Sequence, residues 1–171
     1  MSVNTVFTVP KDRQEVTVYL DRGVVLRGDI FLDMFSGDLS VHQKVSAFFE
    51  GASEFFPIRL TAAGDTEFVN KSNIGVVEVN VPVEQDAEYF SLRLLHRVPV
   101  TAILRHGDEI SGELMAEVPR EKNRLSDCLN TPQRFISVRD GAKIHYINKS
   151  AIRKVVYGKQ PGGDLQFLSV T

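Results

Sequence analysis

The sequence predicts a mainly β protein made of two tandem small barrels, each with five strands and a short helical insert after the second strand. Three observations lead to this fold class. Apolar and polar residues alternate with a period of two along most of the chain, as in strands that bury one face. Glycine-containing turns separate these segments at short intervals. The whole pattern then occurs a second time, which indicates a duplicated module.

Three collinear blocks carry the duplication. Residues 16–32 match 100–116, residues 45–60 match 125–140, and residues 68–74 match 146–152. The spacing between the copies shrinks slightly from block to block, as expected from small deletions in surface loops. We therefore expect a first module over residues 1–83 and a second over 84–171, with residues 84–99 packed as a connector rather than left as a free linker.

Each module begins with a predicted β-hairpin whose second strand is bent. Gly23 and Gly107 end the two turns, where glycine takes positive φ at little cost. Gly28 and Gly112 lie inside the next strand on its apolar face. A glycine there marks a sharp bend or the close approach of another backbone. A strongly bent second strand is what a small closed barrel needs.

A helix of one or two turns is expected next in each copy. Apolar residues recur at i, i+3 and i+4, and a helix-ending residue or pair follows. These positions are Val45, Phe48 and Phe49 before Gly51 in the first copy, and Leu125, Cys128 and Leu129 before Thr131-Pro132 in the second. Three further strands then complete each module. They are predicted over 56–62, 67–70 and 74–81, and again over 134–139, 143–148 and 152–157.

The composition favours an ordinary soluble, cytoplasmic protein without a membrane segment. Hydrophobic residues make up 43% of the 171 residues, charged residues 25%, and the net charge is −2. No basic segment is followed by an apolar core of signal-peptide or membrane-span length. The single cysteine, Cys128, excludes an intramolecular disulfide and a cysteine-based metal cluster.

No reactive constellation is visible in the sequence. The four histidines, His42, His96, His106 and His145, have no metal-ligand spacing. There is no glycine-rich phosphate loop and no nucleophile elbow. We therefore predict no catalytic residue, no cofactor and no metal, and a binding or assembly role rather than an enzyme.

The glycine-and-alternation pattern of 18–30 and 102–114 resembles the first motif of Sm-like proteins. The segments VNKSNIGVV and INKSAIRKV lie where the second motif of that family would fall. The likeness is closest to uncharacterised bacterial Sm-like (LSm-type) domains that carry a Leu-Ser-Asp-x-Leu-Asn segment, here residues 125–130. This resemblance implies a bent five-stranded barrel and assembly through strand edges. SH3-like barrels share the same pattern.

The residues with which Sm proteins bind RNA do not carry over. The loop positions that would hold an acidic residue and an asparagine are Met34 and Asp38 in the first copy, and Val118 and Lys122 in the second. Asn-Lys stands in both copies where the family has Arg-Gly. Nothing at these positions predicts stacking on a base or clamping of a base.

Nucleic-acid or nucleotide binding nevertheless remains an alternative function. The duplicated turns could present a paired anion site, with Arg120 and Arg124 adding positive charge in the basic region 120–139. The turn residues are Asn70, Lys71 and Ser72, and Asn148, Lys149 and Ser150. In the other interpretation, Asn and Ser brace a turn while the lysines and arginines are simply solvated.

Self-association is the function that the sequence favours. Phe48 and Phe49 belong to an aromatic cluster large enough to reach a partner surface. Residues 1–80 hold 7 Lys+Arg and 11 Asp+Glu, whereas residues 81–171 hold 13 and 11, so the two halves differ in sign. Opposite charge favours head-to-tail contact between copies. We therefore expect a homo-oligomer, with a six-module ring of three chains as one form of it.

Overall fold

The structure, a computed structural model, describes residues 11–33, 39–82, 84–90 and 95–158, and in these ranges it is mainly β. The first repeat holds β1 Lys11–Leu20, β2 Val25–Asp33, β3 Phe55–Leu60, β4 Thr66–Asn70 and β5 Ile74–Asn80. The second repeat holds β6 Leu95–Leu104, β7 Glu109–Glu117, β8 Phe135–Asp140, β9 Lys143–Asn148 and β10 Ile152–Tyr157. Helix α1 spans Val41–Glu50, α2 spans Ala87–Phe90 and α3 spans Leu125–Leu129. The mainly β fold class is confirmed, and α1 and α3 follow the second strand of each repeat as predicted.

All ten strands form one antiparallel sheet with the order β10-β6-β7-β8-β9-β5-β1-β2-β3-β4. Each repeat therefore contributes its strands in the same relative order, the fifth strand first and the fourth strand last. The sheet is open, with β10 at one end and β4 at the other. The sequence predicts two separately closed barrels, whereas β5 here continues the sheet by pairing with β9 of the other repeat.

The predicted role of the strand glycines is visible in the pairing of β2 with β3. Gly28 lies opposite Leu60, and the backbone of Arg59 passes against its Cα. Gly112 meets the backbone of Arg139 in the same way in the second repeat. Of the two turn glycines, Gly23 has φ +75° and Gly107 has φ +105°. The close approach of a neighbouring backbone is therefore present at both Gly28 and Gly112.

Two apolar cores lie on opposite faces of the sheet where the repeats meet. The core of the first repeat also takes in Met115, Phe135, Ile144 and Tyr146 from the second repeat. The core of the second repeat takes in Val76 from β5. Both faces of β8 are buried for this reason, whereas β3 alternates between buried and exposed residues. Each repeat therefore completes the core of the other.

The predicted connector contributes Asp86 and α2 to the first core. Asp86 is buried, and so is Tyr89 on α2. Residues 91–94 of the connector lie outside the described ranges, as do Met34 and Asp38.

Candidate assembly interface

The contact between the two repeats, which we call the internal seam, is built first from strand pairing. β5 and β9 pair antiparallel over five residue pairs, from Val76 opposite Ile147 to Asn80 opposite Lys143. Alternate residues point into the two cores, so Val77, Val79 and Ile147 are at most 1% exposed. Such a pair of strand edges satisfies its backbone groups and buries apolar side chains together.

Helix α1 covers the outer side of β8 and β9 at this seam. The Glu50 carboxylate at the end of α1 accepts hydrogen bonds from the backbone N–H groups of Arg134 and Phe135, at 2.9 and 2.8 Å. The rings of Phe49 and Phe135 lie 5.9 Å apart between centroids. Because Phe135 projects away from the core of its own repeat, α1 is what buries it.

A buried polar group joins α1, the connector and β9. The Asp86 carboxylate accepts the backbone N–H groups of Val41 and His42, each at 2.8 Å, and so caps the first turn of α1. His42 Nδ1 lies 2.8 Å from the Tyr146 hydroxyl. Burial lowers the pKa of His42 from 6.5 to about 4, against the opposing influence of Glu117 and Asp86. Burial also raises the pKa of the Tyr146 hydroxyl, so His42 is neutral and Tyr146 protonated at neutral pH.

Four polar side chains make three contacts across the seam. Asn148 donates from Nδ2 to the Ile74 carbonyl at 3.0 Å. Glu78 lies 3.0 Å from Lys143 Nζ and 3.8 Å from His145 Nδ1. The Glu78–Lys143 pair is partly exposed, and such a pair contributes at most about 1 kcal/mol.

The two open edges of the sheet, β10 and β4, are the repeat equivalents of the seam strands β5 and β9. Neither edge has a partner strand on its outer side among the described residues. The repeat alignment places Phe68 of β4 at the position of Tyr146, and Tyr157 of β10 at the position of Val79. Tyr146 and Val79 are each 1% exposed, whereas Phe68 is 71% exposed and Tyr157 63%. Val156, the equivalent of Glu78, is 42% exposed. The exposed apolar side chains thus mark the strand edges that the seam buries elsewhere in the same chain.

The sequence alone does not predict a site at Phe68, Val156 or Tyr157. Each stands in an alternating strand, where an apolar residue is normally a core residue. The available signal was the duplication itself. Both repeats have an aromatic residue at this position of the fourth strand, Phe68 and Tyr146. Only the strand order shows that β9 has a neighbouring strand on that side and that β4 does not.

The duplicated Asn-Lys-Ser turns are braced as in the structural interpretation. The Asn70 side-chain oxygen accepts from the backbone N–H and hydroxyl of Ser72, at 3.0 and 2.8 Å. Asn148 and Ser150 repeat both bonds at 3.0 and 2.9 Å. Each of these segments is a single 3-10 turn that the asparagine side chain caps.

Lys71 is buried and Lys149 half-buried, so the two lysines of these turns are not simply solvated. Lys71 Nζ donates to the carbonyls of Phe48 and Gly51, at 3.0 and 3.1 Å. Lys149 Nζ donates to the Thr131 carbonyl at 2.6 Å. Both ammonium groups thus satisfy carbonyls at the end of α1 or just after α3, where positive charge is favourable. Burial lowers the pKa of both lysines.

The remaining predicted residues separate into surface and core. Arg120 and Arg124 are exposed. Phe49 is 1% exposed, and Phe48 packs half-buried against the same core. The first helix therefore turns its aromatic residues inward and towards the other repeat, and Phe49 offers no surface to a second molecule.

A cleft of about 1000 Å³ lies at one end of the seam. Ser72 and Ser150 both line it, so the structure brings the two duplicated turns together there, with Arg22 and Arg105 from the two hairpin turns. Both serine hydroxyls are already bound to asparagine side chains, and Lys71 and Lys149 donate to carbonyls near the helix ends instead.

The described part of the chain holds no group of three or more His, Cys, Asp or Glu residues placed to bind a metal ion. None of its helices is long and apolar enough to cross a membrane. Cys128 is buried on α3, and burial raises the pKa of its thiol. It therefore packs as a small apolar residue.

Comparison with known proteins found no matching family model, no matching curated protein and no matching solved structure.

Proposed function

We propose that this chain is a non-enzymatic assembly module of two tandem Sm-like units, which self-associates head-to-tail by pairing β10 of one copy with β4 of the next. The observation that carries the proposal is the difference in exposure between equivalent edges. Tyr146 and Val79 are each 1% exposed at the internal seam, and their counterparts Phe68 and Tyr157 are 71% and 63% exposed. An unpaired, apolar strand edge is a template for adding another strand.

The internal seam supplies the register of the proposed contact. Val77 lies opposite Tyr146 and Val79 opposite Ile144 in the seam. The equivalent pairs between copies are Val155 with Phe68 and Tyr157 with Thr66. Lys154 and Glu67, both exposed, then become diagonal neighbours of opposite charge on one face of the sheet.

Head-to-tail pairing uses two different edges, so it continues until it closes into a ring or extends as a filament. Closure leaves no strand edge exposed, which is the state that removes the risk of open-ended aggregation. A closed ring contains an even number of units because each chain brings two. Three chains give the six-unit ring that the resemblance to Sm-like proteins suggests.

Size-exclusion chromatography with light scattering, recording absorbance at 260 and 280 nm, tests the proposal. We expect a discrete mass that is a multiple of 19.1 kDa. Phe68→Lys and Tyr157→Lys should each lower this mass, because a charge would be buried at the strand edge. Val24→Lys is the matched control, since Val24 is 48% exposed in a hairpin turn away from both edges. A wild-type mass of 19.1 kDa at every concentration, or assembly that survives both edge variants, contradicts the proposal.

The absorbance ratio recorded in the same experiment also tests the alternative function, nucleic-acid binding. The chain has no Trp and 4 Tyr, so its own absorbance at 280 nm is small and bound nucleic acid raises the 260 nm signal visibly. A 260 nm excess that disappears at high salt would favour this alternative. The geometry supports assembly more strongly, because Lys71 and Lys149 donate to backbone carbonyls inside the protein.

A further inference from the structure

A second exposed apolar surface lies beside the open edge β4. Phe55 and Pro57 of β3 and Phe68 of β4 project from the outer side of these strands, with Pro57 directly opposite Phe68. We call these three residues the β3–β4 face. Phe55 is 54% exposed, Phe68 is 71% exposed, and Pro57 is also exposed.

The equivalent face in the second repeat is covered. The repeat alignment places Phe135, Ser137 and Tyr146 at the positions of Phe55, Pro57 and Phe68. These three residues are 5%, 9% and 1% exposed. The cover comes from the first repeat, in which Phe49 contacts Phe135 and His42 contacts Tyr146. The same surface therefore occurs twice in the chain, once under a helix and once bare.

The helix that covers the second repeat belongs to the repeat that donates the pairing strand. Helix α1 and strand β5 both come from the first repeat, and together they meet β8 and β9. In a head-to-tail contact, β10 of one copy takes the place of β5. Helix α3, which precedes β10 in the same repeat, then takes the place of α1.

From this correspondence we infer that the β3–β4 face is the docking site for helix α3 of a second copy of this chain. The inference rests on the proposed head-to-tail assembly, and it adds a helix-on-sheet contact to the strand pairing. Leu129 occupies the position of Phe49 and is directed at Phe55 of the neighbouring copy. The C-terminal end of α3 is thus the element that docks. It covers the β3–β4 face, which is exposed in a single chain.

The end of α3 carries a group suited to this contact. Asn130 follows α3 at the position of Glu50, whose carboxylate accepts the backbone N–H groups of Arg134 and Phe135. In the contact between copies, the side-chain oxygen of Asn130 accepts the N–H groups of Glu54 and Phe55. The side chain of Asn130 is exposed, and Leu129 is only half-buried within its own chain. Both positions are therefore accessible to a neighbour.

Cysteine cross-linking between copies tests the inference. One protein carries Phe55→Cys and a second, distinguishable by a mass tag, carries Leu129→Cys, both with Cys128→Ala to remove the native thiol. After the two are mixed and oxidised, we expect a covalent dimer containing one chain of each kind. The matched control replaces Phe55→Cys with Val24→Cys, which is exposed to a similar extent but lies in a hairpin turn. This control should give at least tenfold less dimer.

The outcomes separate the inference from the proposed function. Assembly to a multiple of the monomer mass without the Phe55–Leu129 cross-link overturns helix docking and leaves strand pairing standing. A cross-link no stronger than that of the Val24 control does the same. The cysteine variants could themselves be monomeric while the wild type assembles. In that case the second measurement uses Asn130→Ala in the chain that keeps Cys128. Asn130→Ala removes the proposed acceptor for the N–H groups of Glu54 and Phe55 and leaves both strand edges intact. The variant should therefore weaken assembly several-fold, and unchanged assembly counts against docking. Monomeric wild type at every concentration overturns both proposals.

Discussion

The carbonyl oxygen of Arg59 lies 2.2 Å from the position that a Cβ atom on Gly28 would take. The second repeat reproduces this relationship between Gly112 and Arg139, at 2.3 Å. In both places the obstacle is backbone in a neighbouring strand rather than a movable side chain. The close approach is therefore a property of the repeated unit, and the two glycines are required by space rather than by φ.

Gly28→Ala should destabilise the protein by about 3 kcal/mol or more, because β2 and β3 must separate to admit a methyl group. The free energy of unfolding from urea titration, at one fixed protein concentration, measures the effect. Gly51→Ala is the control, because its added Cβ would lie 3.4 Å from the nearest atom and its φ is −59°. We expect Gly51→Ala to change stability by less than about 1 kcal/mol. Equal effects at the two sites would contradict the steric explanation.

The fold could be predicted from local signals in the sequence. Alternation, turn glycines and duplication are all visible within short windows, and they located the strands and both inserted helices. The glycine at position 28 was informative for the same reason, since a glycine on an apolar strand face has few explanations. The joining of the two repeats into one open sheet could not be predicted this way, because pairing of β5 with β9 joins residues about 70 positions apart.

The candidate interface could be predicted only in outline. Phe55 and Phe135 are each the first residue of equivalent strands, yet one is 54% exposed and the other 5%. That difference depends on whether another repeat supplies a helix, which no local pattern records. The burial of Lys71 could not be predicted for a related reason. A lysine in a turn is normally solvated, and here the end of α1 happens to lie within its reach.

Lys71→Met should destabilise the protein by about 1–3 kcal/mol, because it leaves the carbonyls of Phe48 and Gly51 without their donor. Lys149→Met should act in the same direction through Thr131. The surface control is Lys122→Met, whose exposed side chain should be worth less than about 0.5 kcal/mol. Thermal or urea unfolding of the three variants provides the measurement. Wild-type stability in Lys71→Met would show that the capping bonds contribute nothing.

The stability of the protein should depend on pH through His42. Its pKa is about 4 in the fold against 6.5 in the unfolded chain, because burial disfavours the imidazolium form. The unfolded state therefore binds a proton that the folded state resists, and the free energy of unfolding falls as the pH drops from 6.5 towards 4. The full loss from this group is about 3 kcal/mol. Well above pH 6.5, His42 is neutral in both the folded and the unfolded state, so its effect on the free energy of unfolding no longer changes with pH.

The difference in unfolding free energy between wild type and His42→Asn isolates this effect from the titrating carboxylates. The variant should be less stable at pH 7, and the difference should shrink as the pH falls to about 4. His106→Gln is the control, because that imidazole is exposed and pairs only with Asp108 in its own turn among the described residues. A difference between wild type and His42→Asn that stays constant with pH would rule out His42 as the titrating group.

Glu50 should stabilise the seam between the repeats through its two backbone hydrogen bonds. Glu50→Ala leaves the N–H groups of Arg134 and Phe135 without an acceptor at the rim of a buried surface. Charge-assisted bonds of this kind contribute about 1.5–3 kcal/mol each, and water at the exposed Arg134 offsets part of the loss. We therefore expect a destabilisation of about 2 kcal/mol, measured by urea unfolding. Glu54→Ala, also close to a helix end but exposed, should leave stability within about 0.5 kcal/mol of wild type. Hydrogen exchange adds the site-specific readout: the amide of Phe135 should lose protection in Glu50→Ala and keep it in Glu54→Ala. Unchanged protection at Phe135 would mean that α1 holds β8 by apolar contact alone.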